Sequence, residues 1–149
     1  MAESPLVSLS IDDFLDRLAS DAPTPGGGAV AALTGALAAG LGRMVCALTA
    51  GKAKFADVEP QVNQIASRLD RATPMLKRLI SEDAAAYAEL STAFKIDRAA
   101  PQRRERIAQA AGVAAAVPLE TVAISRQVLG DLRRLEPLGN PNLRSDVEA

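Results

Sequence analysis

Residues 23–40 read PTPGGGAVAALTGALAAG, three consecutive glycines ahead of a run of small and aliphatic residues. Glycine costs about 1 kcal/mol relative to alanine inside a helix, so the triplet belongs before a helix or in its first turn. A helix mouth without a side-chain cap leaves unpaired N–H groups and a partial positive charge, which suits an anion. The triplet also reads as a loop that glycine lets turn sharply. The run that follows predicts a helix from about Gly28 to Ala50. Small residues recur every four positions along it, at Gly28, Ala32, Ala36 and Gly40, a face that lets another backbone approach closely. With no sustained strand alternation or hairpin turn elsewhere, the chain reads as all-α.

The chain has 149 residues, the size of one ordinary domain with a real core. Seventeen basic residues stand against 18 acidic ones and aromatics make up 3%. That composition gives no footprint for nucleic acid or an anionic membrane. A single cysteine, Cys46, rules out an internal disulfide and fits a reducing cytoplasm. Histidine is absent, which excludes Ser-His and Cys-His nucleophile systems and speaks against any zinc or transition-metal site. The opening MAESPLVSL lacks the basic and apolar segments of a signal peptide. The charge-free run from Ala22 to Gly42 has the length of a membrane span. Its prolines and glycines leave about 14 helical positions before Arg43, short of the roughly 20 a span needs, so it reads as a buried helix of a soluble protein.

Three further helices and the start of another are expected. SIDDFLDRLAS predicts a short first helix with Ser10 as N-cap and Phe14, Leu15 and Leu18 as its apolar face. A long segment from about Asp57 to Lys95 carries Val58, Ile65, Ala72, Leu79, Ala86 and Ala93 every seven residues. A second row at the same interval is Val62, Leu69, Leu76, Asp83 and Leu90, and the two rows make one apolar seam. Thr73-Pro74 interrupts it, either as a kink or as the start of a new helix. The next helix spans about Pro101 to Leu135, with Ile107, Ala111, Ala114, Thr121, Ile124, Val128, Leu132 and Leu135 inward and Pro118 a kink. Arg103, Arg104 and Arg106 crowd its first turn, against the preference of the helix dipole. In the tail, Gly139 closes this helix, Asn140-Pro141 turns, and SDVE forms a capping box of Ser145 with Glu148.

Asp83 is out of place in its seam. A carboxylate among apolar neighbours must be hydrogen-bonded, paired or neutral. It reads equally as a core aspartate that caps a neighbouring helix or meets a cation, and as a carboxyl at the wall of a cleft. Tyr87 follows one turn later, and Cys46 reads as packing.

The ordered set PTPGGGAVAALTGALAAGLGRMV, LTAGKAKF, SEDAAAY, VPLE and GNPNLRSD resembles the cyclodeaminase/cyclohydrolase family over nearly the whole chain. Its members include formiminotetrahydrofolate cyclodeaminase and methenyltetrahydrofolate cyclohydrolase. The resemblance implies an all-helical, up-and-down bundle of long, kinked helices, methenyltetrahydrofolate cyclohydrolase-like, that dimerises and binds a folate beside the glycine-rich loop. It implies a catalytic role for Asp83, and substrate contacts for Gly26, Gly27, Gly28, Lys52, Lys95 and Asp146. Asp146 serves equally as a pterin partner or a helix cap.

The resulting expectation is a cytoplasmic homodimer that hydrolyses methenyltetrahydrofolate to formyltetrahydrofolate, with Asp83 as general acid/base. The tetrahydrofolate derivative is its substrate, and no further cofactor, metal, nucleic acid or membrane is involved. The alternatives are a formiminotetrahydrofolate cyclodeaminase that releases ammonia, and a non-catalytic helical interaction protein that keeps the fold. Three departures stand out. Ala29 occupies the place of a usual serine, and KIDR at 95–98 replaces KLPK. Family domains also continue beyond the SD motif, so residues 1–149 are expected to form one domain lacking the C-terminal helices, as a fragment, a natural truncation or an inactive relative.

Overall fold

The structure, a computed structural model, describes residues 5–148, and every regular element among them is helical. Five α-helices follow one another: α1 Ile11–Leu18, α2 Gly27–Thr49, α3 Glu59–Phe94, α4 Arg103–Leu135 and α5 Arg144–Glu148. Short 3-10 turns occupy Leu6–Ser8, Ala53–Phe55 and Pro141–Leu143. The all-α expectation is met.

Local chemistry explains most boundaries. Ser10 caps α1, its hydroxyl oxygen accepting from the Asp13 N–H at 3.0 Å. Of the apolar face expected on α1, only Phe14 is buried; Leu15 and Leu18 are exposed. α3 runs unbroken through Pro74. The Thr73 hydroxyl donates to the Leu69 carbonyl at 3.0 Å, a bond within the helix that sets aside the reading of Thr73 as an N-cap. α4 likewise runs through Pro118. Its expected inner side is buried at Thr121, Ile124, Val128, Leu132 and Leu135, but Ala111 is exposed and Ile107 and Ala114 are half-buried.

The tail differs from its expected capping box. Asn140 caps the turn Pro141–Leu143, its side chain accepting from the Asn142 N–H at 3.2 Å. That turn leads into α5 at Arg144, two residues earlier than a Ser145 cap would start it, so Ser145 lies inside the helix. Glu148 pairs with Arg144 at 2.8 Å instead of reaching back to an N-cap. Gly139 ends the α4 region by donating its N–H to the Leu135 carbonyl at 2.7 Å.

Contacts group the chain into two units. The first takes the chain up to Ala32 together with Lys77–Val122; the second takes Leu33–Leu76 together with the chain from Ala123 onward. In the second unit the rungs between helices can be read from the glycines of α2. A Cβ on Gly35 would lie 2.8 Å from Ser125 Oγ and 3.3 Å from the Leu76 methyls. A Cβ on Gly42 would collide with Leu132 Cδ2 and lie 2.9 Å from Leu69 Cδ1. Within this unit α3 is therefore antiparallel to α2 and α4 parallel to it.

These rungs correct the expected four-residue stripe on α2. A step of four residues turns about 400°, so a strict four-residue row drifts about 40° per step and has turned about 120° by its fourth member. Gly40 accordingly faces outward with nothing near it. The buried line is Ala32, Gly35, Ala39, Gly42, Cys46 and Thr49, in alternating steps of three and four.

Three polar features complete the second unit. The Thr49 hydroxyl donates to the Val45 carbonyl at 2.7 Å and accepts from the Asn140 N–H at 3.0 Å, tying the tail to α2. Asp131, 3% exposed, accepts from Arg68 Nε at 2.8 Å and Arg134 at 3.3 Å. Arg43, inside α2, pairs with Asp70 at 2.8 Å. α2 thus continues past Arg43 to Thr49, close to the expected end at Ala50. By length and composition α2 and α4 are each long and apolar enough to cross a membrane. Desolvation by burial pushes the Cys46 thiol up to about 11; Arg43 opposes the shift and Asp70 adds to it. The thiol is a packing group, with negligible thiolate near neutrality.

The stripe can be tested with two alanines. Gly40→Ala should raise stability by about 1 kcal/mol, since alanine is the better helix former and the site is open. Gly42→Ala should lower it by about 1–3 kcal/mol by overpacking Leu132 and Leu69. Urea unfolding followed by circular dichroism reads both, and equal effects would contradict the packing described.

Candidate functional site

The first unit contains the residue that the sequence marks as anomalous. The seam of α3 turns Asp83 inward between Leu79 and Ala86, which are both buried. Asp83 itself is half-buried and faces the beginning of α2. There the Gly26 carbonyl accepts from the Val30 N–H at 3.1 Å, the first helical hydrogen bond. Gly26 has no side chain with which to cap the helix, and Asp83 supplies the missing acceptor from α3. Its Oδ2 accepts from the Ala29 N–H at 3.1 Å. This is the bond that an N-cap side chain ordinarily makes to the third residue of a helix.

The approach is possible only because of Gly28. A Cβ there would lie 2.5 Å from the carboxyl carbon of Asp83 and closer still to Oδ1. Gly26 and Gly27 have nothing within 4 Å of such a position. Positive φ occurs only at Gly51 among the described glycines. The triplet is therefore not a sharp left-handed turn; at Gly28 it is a seat for a carboxylate. Ala29 is fully buried. Its backbone makes the contact, so the absence of a serine hydroxyl leaves this contact untouched.

The carboxylate is half committed. Oδ2 is held by the Ala29 N–H, while Oδ1 has no hydrogen-bond partner among the described residues. One oxygen thus fixes the group, and the other can take or give a proton. Glu82, by contrast, pairs with Arg78 at 3.0 Å on the exposed side of α3. Tyr87, one turn beyond Asp83, is exposed.

The other expected site residues divide between the two units. Lys95 is exposed just beyond the end of α3, about 18 Å along the helix axis from Asp83. Only an elongated ligand would touch both. Lys52 and Asp146 belong to the second unit. Lys52 is exposed and opens the turn Ala53–Phe55, its carbonyl accepting from the Phe55 N–H at 2.9 Å. Asp146 is half-buried in the first turn of α5, where a carboxylate favours the helix dipole.

The crowded arginines of α4 divide their work. Arg103 donates to the Ile96 carbonyl at 3.0 Å and the Phe94 carbonyl at 3.5 Å, holding the end of α3. Arg106 lines a cavity of about 520 Å³ with Glu89, Thr92 and Gln109. Thr92 lies nine residues beyond Asp83, about 180° around α3, so this cavity opens on the helix face turned away from the carboxylate. The Ala29 N–H and the Arg103 contacts were not anticipated from the sequence; both use backbone groups, which residue types do not reveal.

A family model described as formiminotransferase-cyclodeaminase matches residues 10–149. Methenyltetrahydrofolate cyclohydrolase of Methylorubrum extorquens is 36% identical over 142 residues, covering 93% of this chain and 68% of that protein. Formimidoyltransferase-cyclodeaminase of Dictyostelium discoideum is 35% identical over 144 residues, covering 97% of this chain and 27% of that protein. The crystal structure of formiminotetrahydrofolate cyclodeaminase from Thermotoga maritima superposes with a TM-score of 0.85 at 33% identity, covering 94% of this chain and 68% of that one. The chain therefore spans about two thirds of two of these relatives and about a quarter of the Dictyostelium protein.

The seat at Gly28 has a thermodynamic signature. Gly28→Ala should destabilise the protein by about 1–3 kcal/mol, because the new methyl displaces the Asp83 carboxylate. In an Asp83→Ala background the same change should be neutral or stabilising, since only helix propensity remains. Additive effects in this cycle, measured by denaturant unfolding, would show that Gly28 and Asp83 do not depend on each other.

Proposed function

The chain belongs to the formiminotransferase-cyclodeaminase family, and from that premise we propose that it is a folate one-carbon enzyme that hydrolyses methenyltetrahydrofolate to formyltetrahydrofolate. Asp83 carries the proton in this reading. The observation behind it is a half-buried carboxylate fixed through one oxygen at the α2 mouth, with its other oxygen unpartnered among the described residues.

Methenyltetrahydrofolate presents a cationic carbon between two nitrogens. Water adds to that carbon as Asp83 takes one of its protons. Asp83 then returns the proton to the departing ring nitrogen, the C–N bond breaks as the added oxygen loses its remaining proton to solvent, and a formyl group remains on the other nitrogen. One carboxyl performs both transfers, and a carboxylate beside a cationic carbon also stabilises its charge. No cofactor beyond the folate and no metal enters this scheme, and the reaction is placed in the cytoplasm.

The proposal includes a choice of site for the anionic end of the substrate. The glycine mouth suits an anion, but its Ala29 N–H already serves the Asp83 carboxylate. A second anion there would face like-charge repulsion. The glutamyl carboxylates of the folate are therefore assigned to lysine, with Lys95 the candidate in the same unit as Asp83.

The cyclodeaminase reading is favoured by the Thermotoga maritima structure, whose protein carries that name. There the folate nitrogen attacks a formimino carbon and ammonia leaves with a proton from the same carboxyl. Mixing the protein with methenyltetrahydrofolate and following loss of its chromophore tests the first reaction; ammonia release from formiminotetrahydrofolate tests the second. Asp83→Asn should lower turnover by about 10²–10⁴-fold with little change in melting temperature, because asparagine can still accept from Ala29. Full activity in that variant would remove Asp83 from the chemistry. Silence of the unmodified protein in both assays, without folate binding by calorimetry, would leave the non-catalytic reading.

The proposal includes a homodimer. Leu119 and Val122, three residues apart on α4, are 69% and 57% exposed. Sedimentation should report a dimer that Leu119→Glu with Val122→Glu converts to a folded monomer; a monomeric unmodified protein would overturn this part.

A further inference from the structure

In the second unit a cavity of about 400 Å³ opens between α3 and α4. Four arginines line it, Arg68 and Arg71 from α3 and Arg126 and Arg134 from α4. Asp131 is the only acid in the lining, and it is buried. It is already shared, accepting from Arg68 at 2.8 Å and Arg134 at 3.3 Å. Arg71 and Arg126 have neither an ion pair nor a hydrogen bond among the described residues. Four guanidinium groups against one carboxylate leave an excess of three positive charges around a single hollow.

Like charges gathered at one hollow create a potential that draws an anion to it. Ala72, Ile124 and Val128 form an apolar, buried floor, and a floor of that kind strengthens every charge interaction above it. Guanidinium forks match the paired oxygens of carboxylates and phosphates and hold them with charge-assisted hydrogen bonds. The volume falls within the range of small-molecule sites. Asp131 fixes two of the four arginines in place, so half the site is organised before a ligand arrives.

We propose that this cavity binds a small multivalent anion, a polyphosphate or polycarboxylate, seated between Arg71 and Arg126 above the Arg68–Asp131–Arg134 cluster. The site is independent of the Asp83 reaction and stands whether or not the folate reading holds. Its ligand chemistry is two or more adjacent anionic groups, because a single charge would leave most of the excess unanswered.

Titration calorimetry on the full chain at fixed ionic strength tests it, with inorganic pyrophosphate as the phosphate probe and citrate as the carboxylate probe. Saturable binding of either at one molecule per chain is expected, and the preferred probe identifies the class of anion. Arg71→Ala and Arg126→Ala should each weaken binding about tenfold or more. Both side chains are exposed and, among the described residues, unpaired, so the variants should keep the unmodified melting temperature. Arg104→Ala, which removes a positive charge outside the lining, should leave affinity unchanged. Absence of binding for both probes would overturn the proposal, as would equal weakening by Arg104→Ala and Arg126→Ala. If neither anion binds and Arg126→Glu dissociates a dimer, the charge belongs to a subunit contact and the proposal also fails.

Discussion

The Asp83 carboxylate resting over Gly28 is the contact on which the start of α2 depends. It settles two costs at once. A carboxylate placed on an apolar seam loses water and needs a donor. A helix that begins with glycine has exposed N–H groups and no side chain to meet them. The Ala29 N–H answers both, and the missing Cβ at residue 28 gives the carboxylate room to arrive. A larger residue at 28 would separate the pair and leave two unsatisfied groups where there are now none. The contact consumes only one carboxylate oxygen, which leaves the other for the proton transfer proposed above.

The long helices exist to hold such contacts in register. Their faces follow from side-chain volume more than from hydrophobicity, since α2 is apolar nearly all around. What separates its inner line from its outer one is the space available at each position. Gly35 and Gly42 admit Leu76, Leu69 and Leu132, whereas the equally small Gly40 meets nothing. In the second unit this close approach is reinforced by Thr49, which gives and receives a hydrogen bond at a fully buried position. The Arg68–Asp131 pair adds specificity there, because breaking a buried ion pair strands a charge.

The seven-residue rows of α3 were readable in the sequence because leucine and valine at that interval have one economical arrangement. Ile65, Leu69, Leu76, Leu79 and Ala86 are all buried as the rows require. Asp83 stood out against them for the same reason. The stripe on α2 was misread because small residues carry little directional information: alanine and glycine line both its faces, and only the helical twist decides which are inside. Ser145 misled as a cap because Asn140 and Pro141 had already started the helix. The partner of Asp83 was invisible because it is a backbone N–H, and residue types do not advertise backbone groups. Asp131 sat unremarked in a basic stretch, where an acid looks like surface solvation until its burial is known.

The two reactions open to this family differ in what attacks the one-carbon unit, and the position of Asp83 bears on that difference. Hydrolysis needs a water molecule beside the carboxylate, whereas cyclisation with loss of ammonia uses a nitrogen of the folate itself. In the second case water is a competitor, because it would hydrolyse the same carbon. A site dedicated to deamination therefore gains from enclosing its carboxyl completely. Asp83 is half-buried, and its unengaged oxygen has no protein partner among the described residues. In the proposed hydrolysis a water molecule would bind that oxygen directly and be activated there. This favours the hydrolytic reading, and the same openness makes the carboxylate sensitive to whatever comes to cover the α2 mouth. A second subunit or a bound pterin that sealed the mouth would remove the competing water. The cap at Ala29 would be untouched, and the balance would move toward the reaction that excludes solvent.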